Sequence, residues 1–251
     1  MRLKGWEKKY AEILKDFQYN RGKDTQSARV LNSILRTKFP LKKLEKKIKN
    51  QTIFVIGAGS SLNQSIPFLK KYKKITKIVA DGATKALIQN KIRSDIVVTD
   101  LDGDQKFLKK ASKKNAIMIV HAHGDNIDRL YLVSDFKYCL GTTEGKPFGN
   151  IHNFGGFTDG DRCVFLAKYF GAKKIILFGM DFGTKIGKYS KNKVINKAIK
   201  IRKLRRGKEL LEWLALQNHS ELYTTSKQIK GFSKIRYTDL GKMLSLRSNS
   251  F

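Results

Sequence analysis

Apolar residues in this chain gather in two ways. Short runs rich in Ile and Val occur at residues 52–56, 77–80, 95–99, 116–120 and 174–178. Runs of this length without polar alternation predict strands buried on both faces, as in a parallel sheet covered by helices. Most are followed by a stretch with helical spacing, so the order reads as alternating β and α units. The predicted fold is α/β, with a doubly wound, mainly parallel, Rossmann-like sheet. Residues 1–50 differ. Trp6, Tyr10, Ile13, Leu14 and Phe17 recur at helical spacing, and Val30, Leu31, Ile34 and Leu35 do so again. They predict a helical N-terminal segment with a break at residues 21–24, a second helix capped by Asp24 or Thr25, and a short third helix at 41–49. A basic loop at 185–193 leads to a long C-terminal amphipathic helix at 198–216. A last strand is expected at 220–224 and a loose end at 247–251. The expected division is a helical segment at 1–50, a catalytic α/β domain at 51–225 that includes the long helix, and a C-terminal tail at 226–251.

Composition narrows the class. Hydrophobic residues are 41% of the 251 and prolines number only 3, which favours a folded domain over a disordered chain. No run of about 18 apolar residues predicts a membrane span. The charged start, Met1-Arg2-Leu3-Lys4, does not read as a signal peptide. Cys139 and Cys163 stand apart without CxxC spacing and read as buried thiols of a cytoplasmic protein. The net charge of +31 raises the question of a polyanionic partner. Lysines are spread along the chain, with concentrations at 42–49, 70–77 and 197–208, and no nucleic-acid-binding motif accompanies them. Solvated helix faces account for most of this charge, with attraction of a nucleotide triphosphate as a second contribution. A nucleic-acid partner is disfavoured, and a homo-oligomer is left open.

The chemistry collects where the strands end, the edge at which ligands bind in parallel sheets. After the first run comes Gly57-Ala58-Gly59-Ser60-Ser61, a tight turn whose amides and hydroxyls suit a phosphate at the following helix N-terminus. It is neither a Rossmann fingerprint nor a Walker loop. Asp81-Gly82-Ala83 ends the second run and Asp100-Leu101-Asp102-Gly103 the third. Clustered carboxylates repel one another unless a cation lies among them, and hard oxygen donors suit Mg²⁺, so Asp81, Asp100 and Asp102 are the candidate metal ligands. Helix capping is the plain alternative for Asp81 and Asp104. His121, His123, Asp125 and Asn126 follow the fourth run and suit polar substrate or phosphate contacts better than zinc. The loop from Asn153 to Arg162 adds Phe154, Phe157, Thr158, Asp159 and Asp161, which could frame a flat heterocycle and its phosphates.

Taken in order, Gly57-Ala58-Gly59-Ser60-Ser61-Leu62, Ala80-Asp81-Gly82-Ala83, Thr99-Asp100-Leu101-Asp102-Gly103, His121-Ala122-His123-Gly124-Asp125-Asn126, Phe157-Thr158-Asp159-Gly160-Asp161-Arg162 and Gly179-Met180-Asp181-Phe182 resemble the archaeal 6-hydroxymethyl-7,8-dihydropterin diphosphokinases of the MptE type. They are more distantly similar to the catalytic domain of thiamine diphosphokinases. The resemblance covers about residues 52–224. It implies Mg²⁺-dependent transfer of diphosphate from ATP to a pterin alcohol, releasing AMP, in folate- or methanopterin-type cofactor biosynthesis. It places the acidic residues of the family on Asp81, Asp100, Asp102, Asp125, Asp159 and Asp161. Asp100 and Asp102 would hold Mg²⁺, and Gly57, Gly59, Ser60 and Ser61 would bind phosphate or ribose. Arg162 or Lys146 would neutralise the transferred group, and His123 or Asp125 would act as any base. The pterin pocket would be formed by residues 153–162 with 121–126, including His121 and Thr158; Phe154 and Phe157 would supply faces for the ring, and Asn126, Asn153 and Asp159 would read its edge. Three rivals are a thiamine diphosphokinase, a glycosyltransferase-like flagellin-modifying accessory factor and a basic nucleic-acid-binding protein.

Overall fold

A computed structural model describes residues 3–35, 39–185, 187–190, 196–217 and 220–245. The predicted strands are present as β1 (Thr52–Ile56), β2 (Thr76–Ala80), β3 (Ile96–Thr99) and β4 (Ile117–His121). Two short strands that their sequence does not announce follow, β5 (Cys139–Thr142) and β6 (Ile151–His152). Then come β7 (Lys174–Phe178), β8 (Glu221–Thr224) and the two-residue β9 (Ser233–Lys234). They form one sheet in the order β6-β5-β4-β3-β2-β1-β7-β8-β9, with each strand pairing parallel. This is the doubly wound parallel sheet expected from the unbroken apolar runs.

Parallel neighbours need crossovers, and the helices supply them. Residues 3–35 and 39–50 carry α1 (Trp6–Phe17), α2 (Arg21–Ile34) and α3 (Leu41–Ile48). In the sheet region α4 (Leu62–Lys71), α5 (Asp81–Gln89) and α6 (Gln105–Lys113) follow β1, β2 and β3, and a 3₁₀ segment (Ile127–Asp135) follows β4. Next come α7 (Asp159–Tyr169), the long α8 (Lys197–Ala215) and α9 (Leu240–Ser245). Side chains alternate across the strands, so each strand feeds two cores. Ile53, Val55, Ile175 and Leu177 pack with α1, α3, α7 and α8. Phe54, Ile56, Ile176 and Phe178 pack on the other face with α2, α4, α5 and α6.

Two sequence expectations change here. The stretch at 21–24 does not break a helix but forms the first turn of α2. Asn20 is the cap, its Oδ1 accepting from the amides of Gly22 at 2.8 Å and Lys23 at 3.2 Å. Asp24, expected as that cap, is buried and accepts from the Tyr10 hydroxyl at 2.6 Å and from the Gly124 amide at 2.9 Å. Residues 226–245 carry β9 and α9, with Leu240 buried in the second core; the loose end expected at 247–251 lies outside the described residues.

The chain winds outward from β1 to β6, then returns to lay β7 on the other side of β1. The reversal falls between β1 and β7, and the crevice at such a switch point is where open α/β sheets bind ligands. Here the turns after β1 and β7 meet backbone to backbone. A Cβ on Gly179, which has φ +63°, would lie 2.4 Å from the Gly57 carbonyl oxygen, so this crossing tolerates no side chain.

Candidate active site

Four carboxylates meet beside this crevice, and three of them, Asp100, Asp102 and Asp159, line it. Asp81 begins α5, Asp100 and Asp102 follow β3, and Asp159 begins α7. One oxygen from each lies within 4.8 Å of the others. The turn after β3 explains how two aspartates two residues apart reach one point. Leu101 sits in the left-handed region at φ 66°, uncommon for a residue with a side chain, and buries that side chain completely. Thr99 fixes the turn, its Oγ1 accepting from the Leu101 amide at 2.8 Å while donating to Asp81 Oδ2 at 2.5 Å. The Gly103 amide also donates to Asp81 Oδ2, at 3.2 Å. Burial above all, then the charges of Asp100 and Asp81, push the Asp159 carboxyl well above the usual carboxylate range. An oxygen-only donor set under mutual repulsion, open to a cleft, fits a hard divalent cation such as Mg²⁺.

The cleft encloses about 1080 Å³, its open mouth included. Gly57, Gly59 and Gly82 form part of its floor, Asp100, Asp102, Thr158 and Asp159 one side, and Phe157 an apolar patch. The serines of the glycine turn are engaged elsewhere. Asp181, after β7, accepts from Ser60 Oγ at 3.1 Å, from the Ser61 amide at 2.8 Å and from Ser61 Oγ at 2.6 Å. A carboxylate thus already occupies the N-terminus of α4, the place the sequence suggested for phosphate.

Behind the carboxylates lies a buried polar network. Arg162 donates from Nη2 to Glu144 Oε1 at 2.5 Å, and its Nη1 stands 3.7 Å from Asp159 Oδ1. Burial raises the Glu144 carboxyl, but Arg162 and then His121 outweigh it and hold the pKa at about 2. His121 Nε2 lies 3.6 Å from Glu144 Oε1. Burial, reinforced by Arg162, lowers the His121 pKa to about 4, so the ring is neutral at neutral pH and Arg162 is the charge that Glu144 answers to.

The remaining candidates are spread around this centre. His123 Nε2 is 3.6 Å from Asp100 Oδ2. Asn126 is fully buried and donates to the carbonyls of Asp100 at 2.8 Å and His121 at 2.7 Å, tying two strand ends together. Asn153 donates to the carbonyls of Glu144 and Gly145. Asp161 accepts from the Phe157 and Thr158 amides and completes a capping box with Thr158 at the start of α7. Asp125 is exposed and outside the cluster, and Lys146 is exposed as well. Phe154 packs in the core against Tyr169 and Phe170, away from the cleft. Sequence reasoning passed over Glu144, Lys185, Lys200 and Lys203, and gave Asp181 no role. Asp181 had a signal in its strand-end motif; the lysines had only a basic run, indistinguishable from a solvated helix face.

Residues 26–187 match the model of the family described as 6-hydroxymethylpterin diphosphokinase MptE-like. The chain is 43% identical over 231 residues to the 6-hydroxymethyl-7,8-dihydropterin pyrophosphokinase of Methanocaldococcus jannaschii, covering 85% of this chain and 96% of that protein. It belongs to the MptE-like family. The protein of the same description from Pyrococcus furiosus is 44% identical over 222 residues, with 85% and 94% covered. The stretch matched to the MptE-like model contains all four clustered carboxylates and ends before α8. A solved structure, the MAf glycosyltransferase from Magnetospirillum magneticum AMB-1, superposes with a TM-score of 0.60 at 12% identity. That match covers 88% of this chain and 41% of the other, and it shows a shared fold alone.

Proposed function

We propose that this chain transfers the β,γ-diphosphate of ATP to the hydroxymethyl oxygen of 6-hydroxymethyl-7,8-dihydropterin, giving the pterin diphosphate and AMP. The observation that carries this reading is the four-carboxylate cluster at the switch-point cleft, in a chain of the MptE-like family. Asp81, Asp100, Asp102 and Asp159 would hold Mg²⁺. The chemistry it supplies when bound is neutralisation of the charge that builds on the phosphate oxygens.

The acceptor oxygen forms a new bond to the β-phosphorus. The bond from that phosphorus to the oxygen bridging it to the α-phosphate breaks, and its electron pair leaves with AMP. The hydroxyl proton passes to solvent or to His123, whose Nε2 stands at the edge of the cluster. No strong base is needed, because positioning and charge stabilisation dominate phosphoryl transfer. Gly57, Gly59 and Gly82 line the cleft, and the absence of side chains lets neighbouring segments close on them: a Cβ would meet Met180 at Gly57, Asp181 at Gly59 and the Tyr189 carbonyl at Gly82. Phe157 offers an apolar face for a flat ring, and Thr158 a polar group beside it. Arg162 holds Asp159 and Glu144 in place rather than meeting the phosphates.

A cytoplasmic location in folate- or methanopterin-type cofactor synthesis belongs to the same reading. The two free cysteines suit a reducing compartment, and among the described residues no helix is long and apolar enough to cross a membrane. The test is acceptor competition in the presence of ATP and MgCl₂. AMP should appear with 6-hydroxymethyl-7,8-dihydropterin and not with thiamine. Preference for thiamine would overturn the acceptor, and ADP as product would overturn diphosphate transfer.

A further inference from the structure

Carboxylates repel a polyphosphate, so its outer oxygens are met by a metal together with backbone amides or the protein's own cations. The glycine turn does not supply the anion site expected of it, since Asp181 takes the Ser61 amide and both serine hydroxyls. The cations that line the cleft come from elsewhere: Lys185 from the segment after β7, and Lys200 and Lys203 from α8. Lys200, Lys203, Leu204 and Gly207 recur at helical spacing, so one face of α8 looks into the cleft. Gly207 docks that face. A Cβ there would meet Asp161 Oδ1 at 2.9 Å and Thr158 Oγ1 at 3.5 Å, so the helix lies directly against the start of α7, one turn from Lys203.

Lys203 is held in an unusual way. Its Nζ sits 5.3 Å from the centre of the Tyr19 ring and 5.9 Å from that of Phe157. Further along α8, Arg206 pairs with Glu12, Asp16 and Glu209, and Lys208 with Glu212; none of these carboxylates joins Lys203. Aromatic faces orient an ammonium without neutralising it, so its charge remains available to a ligand. We infer that Lys203, with Lys200 one turn before it, forms the cationic wall that takes the polyphosphate chain of the nucleotide, in the cleft that Asp100, Asp102 and Asp159 also line. The N-terminal segment thereby contributes to the site through Tyr19, and a small part of the +31 charge acquires a specific ligand.

This inference rests on the diphosphate-transfer reading, but binding tests it separately. ATP and AMP are titrated calorimetrically, with MgCl₂, into the wild-type chain and into Lys203→Met, Lys203→Arg and Lys200→Met. Methionine keeps an apolar stem against Tyr19 and Phe157 and removes only the charge. Loss of one charged hydrogen bond predicts that Lys203→Met weakens ATP about 10- to 100-fold. AMP, which lacks the β- and γ-phosphates, should bind within about twofold of wild type, and Lys203→Arg should recover most of the ATP affinity. Lys200→Met should weaken ATP in the same direction, which keeps the test open if Lys203→Met folds poorly. Unchanged ATP affinity in both methionine variants overturns the inference. Equal loss for ATP and AMP overturns it too, since the lysine would then serve the nucleoside or the fold. ATP binding that depends on Lys203, without AMP production from the pterin alcohol, would leave the inference standing and refute the transfer reaction.

Discussion

Gly103→Ala is the smallest change that should disable the site. An ideal Cβ at position 103 would lie 1.7 Å from Asp81 Oδ1 and 2.5 Å from Asp81 Cγ, whereas ordinary contact begins near 3.4 Å, so one side must yield by about 1.7 Å. Asp81 is not a loose side chain that can swing aside. It is buried, accepts from Thr99 Oγ1, and accepts from the amide of Gly103 itself. Either Asp81 leaves those donors or the turn bearing Asp100 and Asp102 lifts away, and both open the cluster. A misplacement of about 1 Å in a reacting constellation costs about 100-fold, so kcat/KM should fall by at least that factor, about 2.7 kcal/mol of transition-state stabilisation. Broken hydrogen bonds should lower stability by about 1–3 kcal/mol, leaving the protein folded. The assay is AMP release from ATP and the pterin alcohol across a MgCl₂ series, alongside chemical unfolding. Activity within threefold of wild type at both limiting and saturating Mg²⁺ would refute the reasoning.

Three further outcomes follow from the same geometry. Asp100→Asn and Asp102→Asn should each lower turnover by at least about 100-fold, yet leave the metal-free protein as stable as wild type or more so, because like charges are removed. Thermal unfolding with EDTA and with MgCl₂ checks this: Mg²⁺ should raise the wild-type midpoint and affect the variants far less. Arg162→Met should destabilise by about 3–5 kcal/mol in denaturant, because Glu144 and Asp159 lose their buried counter-charge; a loss of activity with stability intact would instead place Arg162 on the phosphates. Acid should lower the stability of the protein in two stages. His121, whose pKa falls from 6.5 to about 4 on folding, is protonated more readily when unfolded, so its share of stability, on the order of 3 kcal/mol, is lost as pH drops from 6.5 to 4. Glu144, lowered from 4.5 to about 2, loses its share as pH falls through that lower window. His121→Asn should flatten the upper stage and leave the lower one, as pH-dependent denaturant unfolding would record.

The sheet was legible because its central strands are buried on both faces and therefore apolar without interruption, as in Thr52–Ile56 and Lys174–Phe178. β5 and β6 were not, because Cys139–Thr142 and Ile151–His152 are too short to form a run; pairing of β5 with β4, and of β6 with β5, rather than composition makes them strands. The three carboxylates Asp81, Asp100 and Asp102 announced themselves as strand endings, and Asp159 stood in the glycine-rich loop, but nothing local tells Asp159, which joins the cluster, from Asp161, which caps α7. Only the packing of α7 against the sheet makes that distinction. Asn126 and Asn153 looked like ligand-reading amides and spend their donors on backbone carbonyls. Lys203 was hidden for the opposite reason: among so many lysines, one that faces a cleft carries no mark in the sequence. Its orientation depends on Gly207 and on two aromatic rings from distant parts of the chain.

The central claim is that this cleft moves a diphosphate as one unit onto the acceptor. It is tested most directly by following ATP labelled at the β-phosphorus through a single turnover with 6-hydroxymethyl-7,8-dihydropterin and MgCl₂. The account predicts that the label appears in the pterin product, that the nucleotide released is unlabelled AMP, and that Asp100→Asn abolishes both. Label retained in ADP, or labelled diphosphate set free whether or not the pterin is present, would contradict it.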